Sequence, residues 1–152
     1  MVVSSVTQAT FLADSVILIR DEILNNITDP ISSTRPSGQK FCITKFATRN
    51  TTYPIVTVVD RGITEWRRGG FQSTVPVQRL GVEIQVWARN VKERDELSQQ
   101  ILDRLRSRIV TFSTTEKLHD IRVDGTNNVS EPGEQGIQRK IINVSFLEIL
   151  EA

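Results

Sequence analysis

The sequence predicts an α+β fold of two layers, in which a mostly antiparallel sheet of about five strands is covered by two helices. A long loop is expected between the second and third strands. Two observations lead to this fold class. Residues 79–88 alternate strictly between two kinds of side chain, as a strand with one buried face does. Residues 91–107 repeat apolar side chains at helical spacing, directly after that strand. The predicted order is helix, three strands, helix, two strands.

The first half of the chain supplies the first helix and two strands. Residues 1–10 form either a flexible arm or an edge strand. Residues 11–27 repeat apolar side chains every three or four positions and form the helix. Leu18 falls away from that stripe, so it is either lightly covered or part of a partner contact. Residues 41–46 and the β-branched segment 53–60 are predicted strands.

The third strand and the second helix form one packing unit. The strand buries one face, and its other face is either wet or joined to a partner. The buried set is Leu80, Val82, Ile84, Val86 and Ala88, and the other set is Arg79, Gly81, Glu83, Gln85 and Trp87. Asn90 is the predicted helix cap, with Glu93 in the position of a capping box. The helix turns one apolar face to the sheet, namely Val91, Leu97, Ile101, Leu102, Leu105 and Ile109.

The end of the chain supplies two more strands. Residues 119–125 are a predicted short strand, and residues 126–137 are a predicted loop rich in turn-forming residues. Residues 138–150 form the final strand. Because both faces of this last strand carry apolar side chains, it should lie in the interior of the sheet.

Composition limits the function more than it defines it. A chain of 152 residues predicts one domain over residues 1–152. Nineteen basic and eighteen acidic residues give a net charge of +1, which favours no nucleic-acid partner and excludes none. Neither a signal peptide nor an apolar run of the roughly 20 residues needed to cross a membrane is recognisable, so we expect a soluble protein with no membrane partner.

No pattern in the sequence predicts catalysis. The single cysteine and single histidine cannot form a zinc signature, and the chain has neither a phosphate-binding loop nor a GxSxG motif. Cys42 and His119 could still form a nucleophile and base, but the sequence favours an apolar strand residue for Cys42 and a surface strand-start residue for His119. Asp60 and Glu65 are one of many acidic pairs. We therefore predict no enzyme activity, no catalytic residues, no cofactor and no metal.

The segment 61–78 is the strongest candidate for a contact site, because long ordered loops in compact domains tend to be functional. Its basic and aromatic side chains are Arg61, Trp66, Arg67, Arg68 and Phe71. The guanidinium groups could meet phosphates of DNA or acidic side chains. The two aromatic rings could dock a neighbouring subunit. Alternatively, the loop is solvated and its aromatic rings fold back on the core.

The chain resembles the tail-terminator (tail-completion) proteins of long-tailed phages and related viruses. Three features carry the resemblance: the stretch VEIQVWARNVKERDELSQQILDRL, the helix that precedes the strands, and the closing strand IINVSFLEIL. The order of elements and the length of the chain agree as well. The resemblance covers roughly residues 10–150 and is one of pattern, without a residue signature.

The resemblance implies a structural virion protein, assembled in the host cytoplasm. Such a subunit forms a homo-hexameric ring that caps the tail tube and meets the head–tail connector proteins. DNA passes through the lumen, where non-specific contact is expected. The 61–78 segment would suit the lumen or the tube contact, and Leu18 and Trp87 would suit contacts within the ring. The alternatives are a connector or neck protein and, from a different class, a small cytoplasmic ligand-binding domain or enzyme.

Overall fold

The computed structural model describes residues 11–44, 52–68, 76–115, 117–130 and 137–149. The segment 1–10, predicted to be an arm or edge strand, lies outside these ranges. The described elements are α1 (Phe11–Asn26), β1 (Cys42–Ile43), β2 (Ile55–Arg68), β3 (Pro76–Ala88), α2 (Val91–Ser107), α3 (Ile109–Thr114), β4 (His119–Ser130) and β5 (Gln138–Ile149). The predicted α+β class is confirmed, and the short helix α3 is an addition to it.

The five strands form one open sheet in the order β1-β2-β3-β5-β4. β1 pairs with β2 in parallel, whereas the other three pairings are antiparallel. The sheet is therefore mixed but mostly antiparallel. The prediction that β5 is an interior strand is confirmed, because it lies between β3 and β4. The two edges of the sheet are formed by the short β1 and the long β4.

One face of the sheet packs against all three helices and forms the hydrophobic core. The predicted alternation of β3 is confirmed, since its five apolar residues are all buried. The core also contains Val56 and Val58 of β2, Ile142, Val144 and Phe146 of β5, and buried side chains of α1, α2 and α3. The helices thus lie on the same side of the sheet, α1 over β1 and β2, α2 over β3 and β5, and α3 over β4.

The start of α2 has the predicted cap. The backbone N–H of Glu93 donates to Oδ1 of Asn90 at 2.8 Å. The Glu93 carboxylate accepts from the backbone N–H of Arg89 at 3.1 Å, one residue earlier than a standard capping box would have it. At the other end, Arg108 separates α2 from α3. The helix predicted over 91–107 therefore begins and ends where the sequence indicated.

The predicted long loop over residues 61–78 is wrong at both of its ends. Residues 61–68 continue β2 and residues 76–78 begin β3, with pairing up to Arg68 opposite Pro76. The register shifts between Asp60 and Gly62, and Gly62 has a φ of 78°. Glycine adopts this conformation easily, so a bulge interrupts the strand without ending it. In the same way, residues 126–130 belong to β4 and not to the predicted loop.

Three predicted side-chain environments also differ from the structure. Leu18 is buried and not available to a partner. It lies one helical turn before Glu22, on the flank of α1 that faces α2, where Arg104 donates to the Glu22 carboxylate. Val91 and Ile109 are exposed, although they were predicted on the buried face of α2. Val91 is the first residue of α2, and Ile109 lies beyond its end in α3.

An ion pair anchors the segment between α1 and β1 to the start of β2. Arg35 donates to both carboxylate oxygens of Asp29, at 2.6 and 2.9 Å, and to the backbone carbonyls of Thr52 and Pro54. The Arg35 guanidinium also lies over the Phe41 ring at 5.6 Å. Its hydrogen bond to Asp29 holds the pKa of that carboxyl below the usual value.

Candidate functional site

The predicted contact residues lie mainly in β2. Arg61 is exposed within β2, beside the bulge at Gly62. Trp66, Arg67 and Arg68 are the last three residues of that strand, and their backbone pairs with the first residues of β3. Phe71 lies outside the described residues. The basic segment therefore belongs to a long β-hairpin, and its arginines are spread along a strand.

Cys42 and His119 are not brought together. They lie in β1 and β4, at opposite edges of the sheet. Four strand spacings of about 4.8 Å already separate them by about 19 Å across the sheet. Burial also raises the pKa of the Cys42 thiol, which opposes formation of a thiolate. His119 is the first residue of β4, as predicted, and its Nδ1 lies 3.0 Å from Oγ of Ser113. The Cys42–His119 nucleophile and base is therefore excluded.

The face of the sheet opposite the helices is called the open face here, since none of the described helices covers it. It consists of Ile55, Thr57 and Val59 of β2, the five alternate residues of β3 from Arg79 to Trp87, and Arg139, Ile141, Asn143, Ser145 and Leu147 of β5. The sequence predicted a wet or partner-bound surface here. In the structure it is partly self-covered, because Arg79 and Gln85 are buried.

One half of the open face carries an ion network between β3, β5 and β4. Arg79 donates to Oδ2 of Asp120 at 2.6 Å and to Oγ of Ser145 at 3.0 Å. Ser145 donates to Asp124 at 3.0 Å, and Arg122 lies 2.7 Å from Asp120. Burial raises the pKa of the Asp120 carboxyl, but the two arginines outweigh burial and hold the pKa below its usual value. The charges of this half are thus largely neutralised within the chain.

The other half of the open face is centred on Trp87, which is half-buried. The Arg139 guanidinium lies over its ring at 4.6 Å, and the Trp87 indole N–H donates to Oγ1 of Thr57 at 3.1 Å. Arg139 also donates to Oε1 of Gln85 at 3.3 Å. These contacts hold the Trp87 ring in place, and part of it remains exposed. The open face is therefore an ordered surface of paired polar groups with some apolar area.

A long strand lies at one side of the sheet and next to the short edge strand at the other. β4 has β5 on one side, and no described residue pairs with its outer edge. Its first half contains two register shifts, but residues 125–130 pair regularly with β5 and carry no charge and no proline. At the other side, the outer edge of β2 is paired among the described residues by Cys42 and Ile43, and the Phe41 carbonyl accepts from the Val56 backbone N–H at 2.9 Å. A strand edge that has no partner readily pairs with another strand.

Exposed apolar side chains concentrate next to β4. The described residues contain four large apolar side chains that are clearly exposed, and three of them lie in α3 and β4. These three are Ile109 at 41%, Val110 at 73% and Val123 at 37%, and they are called the α3 patch here. The fourth is Val91, at the start of α2. The sequence did not single out the α3 patch, because only the turn at Arg108 exposes Ile109 and Val110.

A surface groove of about 460 Å³ lies between the start of α2 and the segment that follows α1. Its lining includes Lys92, Glu93, Glu96 and Gln100, so it is mainly polar, unlike a typical small-molecule pocket. Within the described ranges, no three His, Cys, Asp or Glu side chains gather as a metal site would require. None of the described helices has the length and hydrophobicity that crossing a bilayer requires.

The sequence matches no protein-family model, and no curated protein is significantly similar to it. The function must therefore be inferred from the residues and the fold.

Proposed function

We propose that this chain is a structural subunit that joins copies of itself through the edges of its sheet. More specifically, we propose that it is a tail terminator of a long-tailed phage or related virus. In this role the subunits form a ring, inferred to be a homo-hexamer, that caps the tail tube and meets the connector proteins of the head. The resemblance in sequence pattern supports the specific role, and the arrangement of the strands supports the self-assembly on which it depends.

The single observation that carries the proposal is the direction of the strands at the two sides of the sheet. β2, β3, β5 and β4 alternate in direction, so β4 runs opposite to β2. When copies are related by rotation about an axis to which the strands are inclined, neighbouring sheets are staggered, and β4 of one copy can meet the part of β2 beyond Thr57 of the next in antiparallel orientation. Such a contact uses two different surfaces of each copy, and it produces a ring when the rotation closes.

A two-fold contact between the β4 strands of two copies would pair fewer strand edges than a ring does. It would pair one edge of each sheet and leave the long β2 edge, beyond Thr57, without a partner from the described residues. The ring uses both edges of every copy. Because unpaired backbone groups at a sheet edge favour pairing with another strand, the ring is the assembly that the edges support best.

The position of the helices supports the orientation of subunits in the proposed ring. All three described helices lie on one face of the sheet, so a ring of joined sheets would have a helical side and an open-face side. We propose that the open face lines the lumen through which DNA passes. Its ion network pairs Arg79 with Asp120, which would limit attraction of the phosphates and allow DNA to move past it.

The specific role is tested by electron microscopy of particles assembled without this chain. Loss of a tail terminator should give tail tubes of uncontrolled length, and supplying the chain in trans should restore uniform length. Tails of normal length that fail to join heads would contradict the terminator role and indicate a connector or neck protein. Particles that are normal in every respect would contradict a structural role.

The arginines at the end of β2 provide a second test of the assembly role. We expect Arg67→Ala together with Arg68→Ala to leave the melting temperature nearly unchanged and to impair assembly or head joining. The reason is their position at the end of a strand, next to residues 69–75, which the sequence predicts to be a loop. Arg106→Ala, which removes a 60% exposed arginine of α2, is the matched control. A large fall in melting temperature would instead assign the pair a role in stability.

A further inference from the structure

Asp124 and Gly125 form a dipeptide whose chemistry differs from that of every other acidic position in the chain. Of the eight aspartates, Asp124 alone is followed by glycine, and no asparagine precedes a glycine. Both residues are exposed in β4. Because glycine has no side chain, its backbone nitrogen meets little steric hindrance when it approaches the side-chain carbon of the preceding residue. This dipeptide is therefore the position where an aspartate reacts most easily with its own main chain.

A bulge of β4 makes the backbone irregular at this dipeptide. β5 pairs with Val123 and with Gly125 but offers no partner to Asp124, which is the extra residue of the bulge. On the other side of β4, no described residue pairs with the strand. A Cβ built on Gly125 would meet no atom within 4 Å, so the space around it is open. Rotation of the backbone at Asp124 therefore disturbs less of the ladder than it would at a paired residue.

Among the described residues, one hydrogen bond restrains the Asp124 side chain. Its Oδ1 accepts from Oγ of Ser145 at 3.0 Å. Ser145 is fully buried, and its Oγ accepts from Nη1 of Arg79 at 3.0 Å, so the hydroxyl group is held in place. This bond ties the carboxylate to the neighbouring strand, and the side chain has to leave Ser145 before its Cγ can turn to the Gly125 nitrogen. A single bond of this kind slows the reaction but does not prevent it.

We infer that Asp124–Gly125 is a site of spontaneous covalent modification, at which the aspartate isomerises to isoaspartate. The backbone nitrogen of Gly125 forms a bond to Cγ of Asp124, within one chain and without loss of translational freedom. The N–H proton and the hydroxyl group of the protonated carboxyl leave as one water molecule, and a five-membered succinimide results.

A second water molecule then opens the succinimide by adding to one of its two carbonyl carbons and breaking the bond from that carbon to nitrogen. Cleavage at Cγ restores aspartate, whereas cleavage at the main-chain carbonyl carbon gives isoaspartate. Water is the only co-reactant, and it is released in the first step and consumed in the second. The site is a property of β4 alone and does not depend on the proposed assembly.

Isoaspartate should change the pairing of β4. The main chain then runs through Cβ and Cγ of Asp124, so it gains one carbon atom before Gly125. Residues 125–130 pair regularly with β5, and an additional main-chain atom shifts them along that strand. We expect the amides of residues 125–130 to exchange hydrogen faster in the isoaspartyl form than in the unmodified chain. Equal exchange in the two forms would contradict this consequence.

The site is tested by incubating the folded full chain in water enriched in heavy oxygen and then digesting it with trypsin. Because solvent water opens the succinimide, each turnover introduces one heavy oxygen atom at Asp124. The label should appear in the peptide 123–139, and fragmentation in the mass spectrometer should assign it to Asp124. Asp120, which is also exposed in β4 but precedes Ile121, is the internal control and should stay unlabelled. No label at Asp124 after an incubation that labels a free peptide of residues 119–130 would overturn the inference.

Three variants, each checked for folding by circular dichroism, separate the parts of the inference. Asp124→Glu keeps the charge but needs a larger ring, so position 124 should take up no label. Gly125→Ala should slow labelling about fivefold, because its side chain hinders the approach of the nitrogen. Ser145→Ala should speed it about fivefold, because it removes the restraining hydrogen bond. An unchanged rate in Gly125→Ala would overturn the reaction through the glycine nitrogen, and slower labelling in Ser145→Ala would overturn the restraint.

Discussion

The interior strands β3 and β5 and the flanking strands β2 and β4 belong to one sheet but differ in construction. β3 and β5 pair without a register shift from Val77 opposite Ile149 to Ala88 opposite Gln138. β2 and β4 each contain two register shifts. Both interior strands are paired on both sides and packed under α2, whereas each flanking strand has an outer edge that is wholly or mostly unpaired by described residues. Regular pairing thus serves the core, and irregular strands occupy the edges where assembly is proposed.

The contact between α2 and the interior strands should be the most sensitive to substitution, because it forms the centre of the core. Ile101→Asp should abolish folding, because it buries a carboxylate without a partner in the core beneath α2. The cost of several kcal/mol approaches the total stability of about 5–15 kcal/mol for a domain. Circular dichroism should show no cooperative melting transition. Gln100→Asp, on the exposed side of the same helical turn, is the control and should fold normally.

Buried side chains of the interior strands should contribute more to stability than the exposed side chains of the flanking strands. Ile84→Ala in β3 should lower the free energy of unfolding by about 2–5 kcal/mol, since the side chain is fully buried. Val123→Ala in β4 should cost less than about 1 kcal/mol, since its side chain is 37% exposed. Urea denaturation of the monomer at equal concentrations measures both. Equal losses would show that β4 contributes to the core as much as β3 does.

The bulges of the flanking strands provide a smaller and sharper test. Gly62→Ala should cost about 1 kcal/mol, because the φ of 78° is unfavourable for alanine. Gly125→Ala, beside a bulge of β4, should change stability by less than about 0.5 kcal/mol, since Gly125 has no positive φ. A Cβ on either glycine meets no atom within 4 Å, so packing does not confuse the comparison. If Gly62→Ala leaves the free energy of unfolding unchanged, the bulge does not require a glycine at this position.

The ion pair that anchors the start of β2 should make a small, pH-dependent contribution to the free energy of unfolding. Because Arg35 lowers the pKa of Asp29, the pair contributes stability above the usual aspartate pKa of 3.8 and loses it as the pH falls below that value. The Asp29 side chain is 16% exposed, so the contribution should be about 1 kcal/mol. Urea midpoints at pH 7 and pH 3 should therefore differ less in Asp29→Asn than in the wild type.

The control for this titration is Asp103→Asn, which removes the same charge from a 63% exposed position of α2. It should retain the wild-type difference between the two pH values. If Asp29→Asn also retained it, the Asp29–Arg35 pair would not be a source of the acid sensitivity, and the anchoring of β2 would need another explanation.

The interior of the fold could be predicted from the sequence because its periodicity is local. The alternation from Leu80 to Ala88 and the cap at Asn90 each depend on neighbouring residues alone. The flanking strands could not be predicted as well, because their bulges break the alternation. The sequence around Gly62 predicts a loop, although an isolated glycine in a strand pattern also indicates a bulge, which is what the structure has.

The candidate surfaces were harder to predict than the fold, because they depend on residues far apart in the chain. The pair of Arg79 with Asp120 joins residues 41 positions apart, and nothing near Arg79 in the sequence indicates its partner. Likewise, Val110 is exposed only because the chain turns at Arg108 and α3 anchors itself through Phe112. The arginines of the 61–78 segment could be identified from the sequence as candidate contact residues, but not as parts of a strand.

Pairing of the outer edges of β2 and β4 with other copies of the chain can be detected by amide hydrogen exchange along β4. The exchange of residues 125–130 is compared with that of β5 in the free chain and in the assembled protein, alone or on tail tubes. We expect these β4 amides to become strongly protected on assembly, while β5 changes little. Equally rapid exchange of the β4 amides before and after assembly would contradict it.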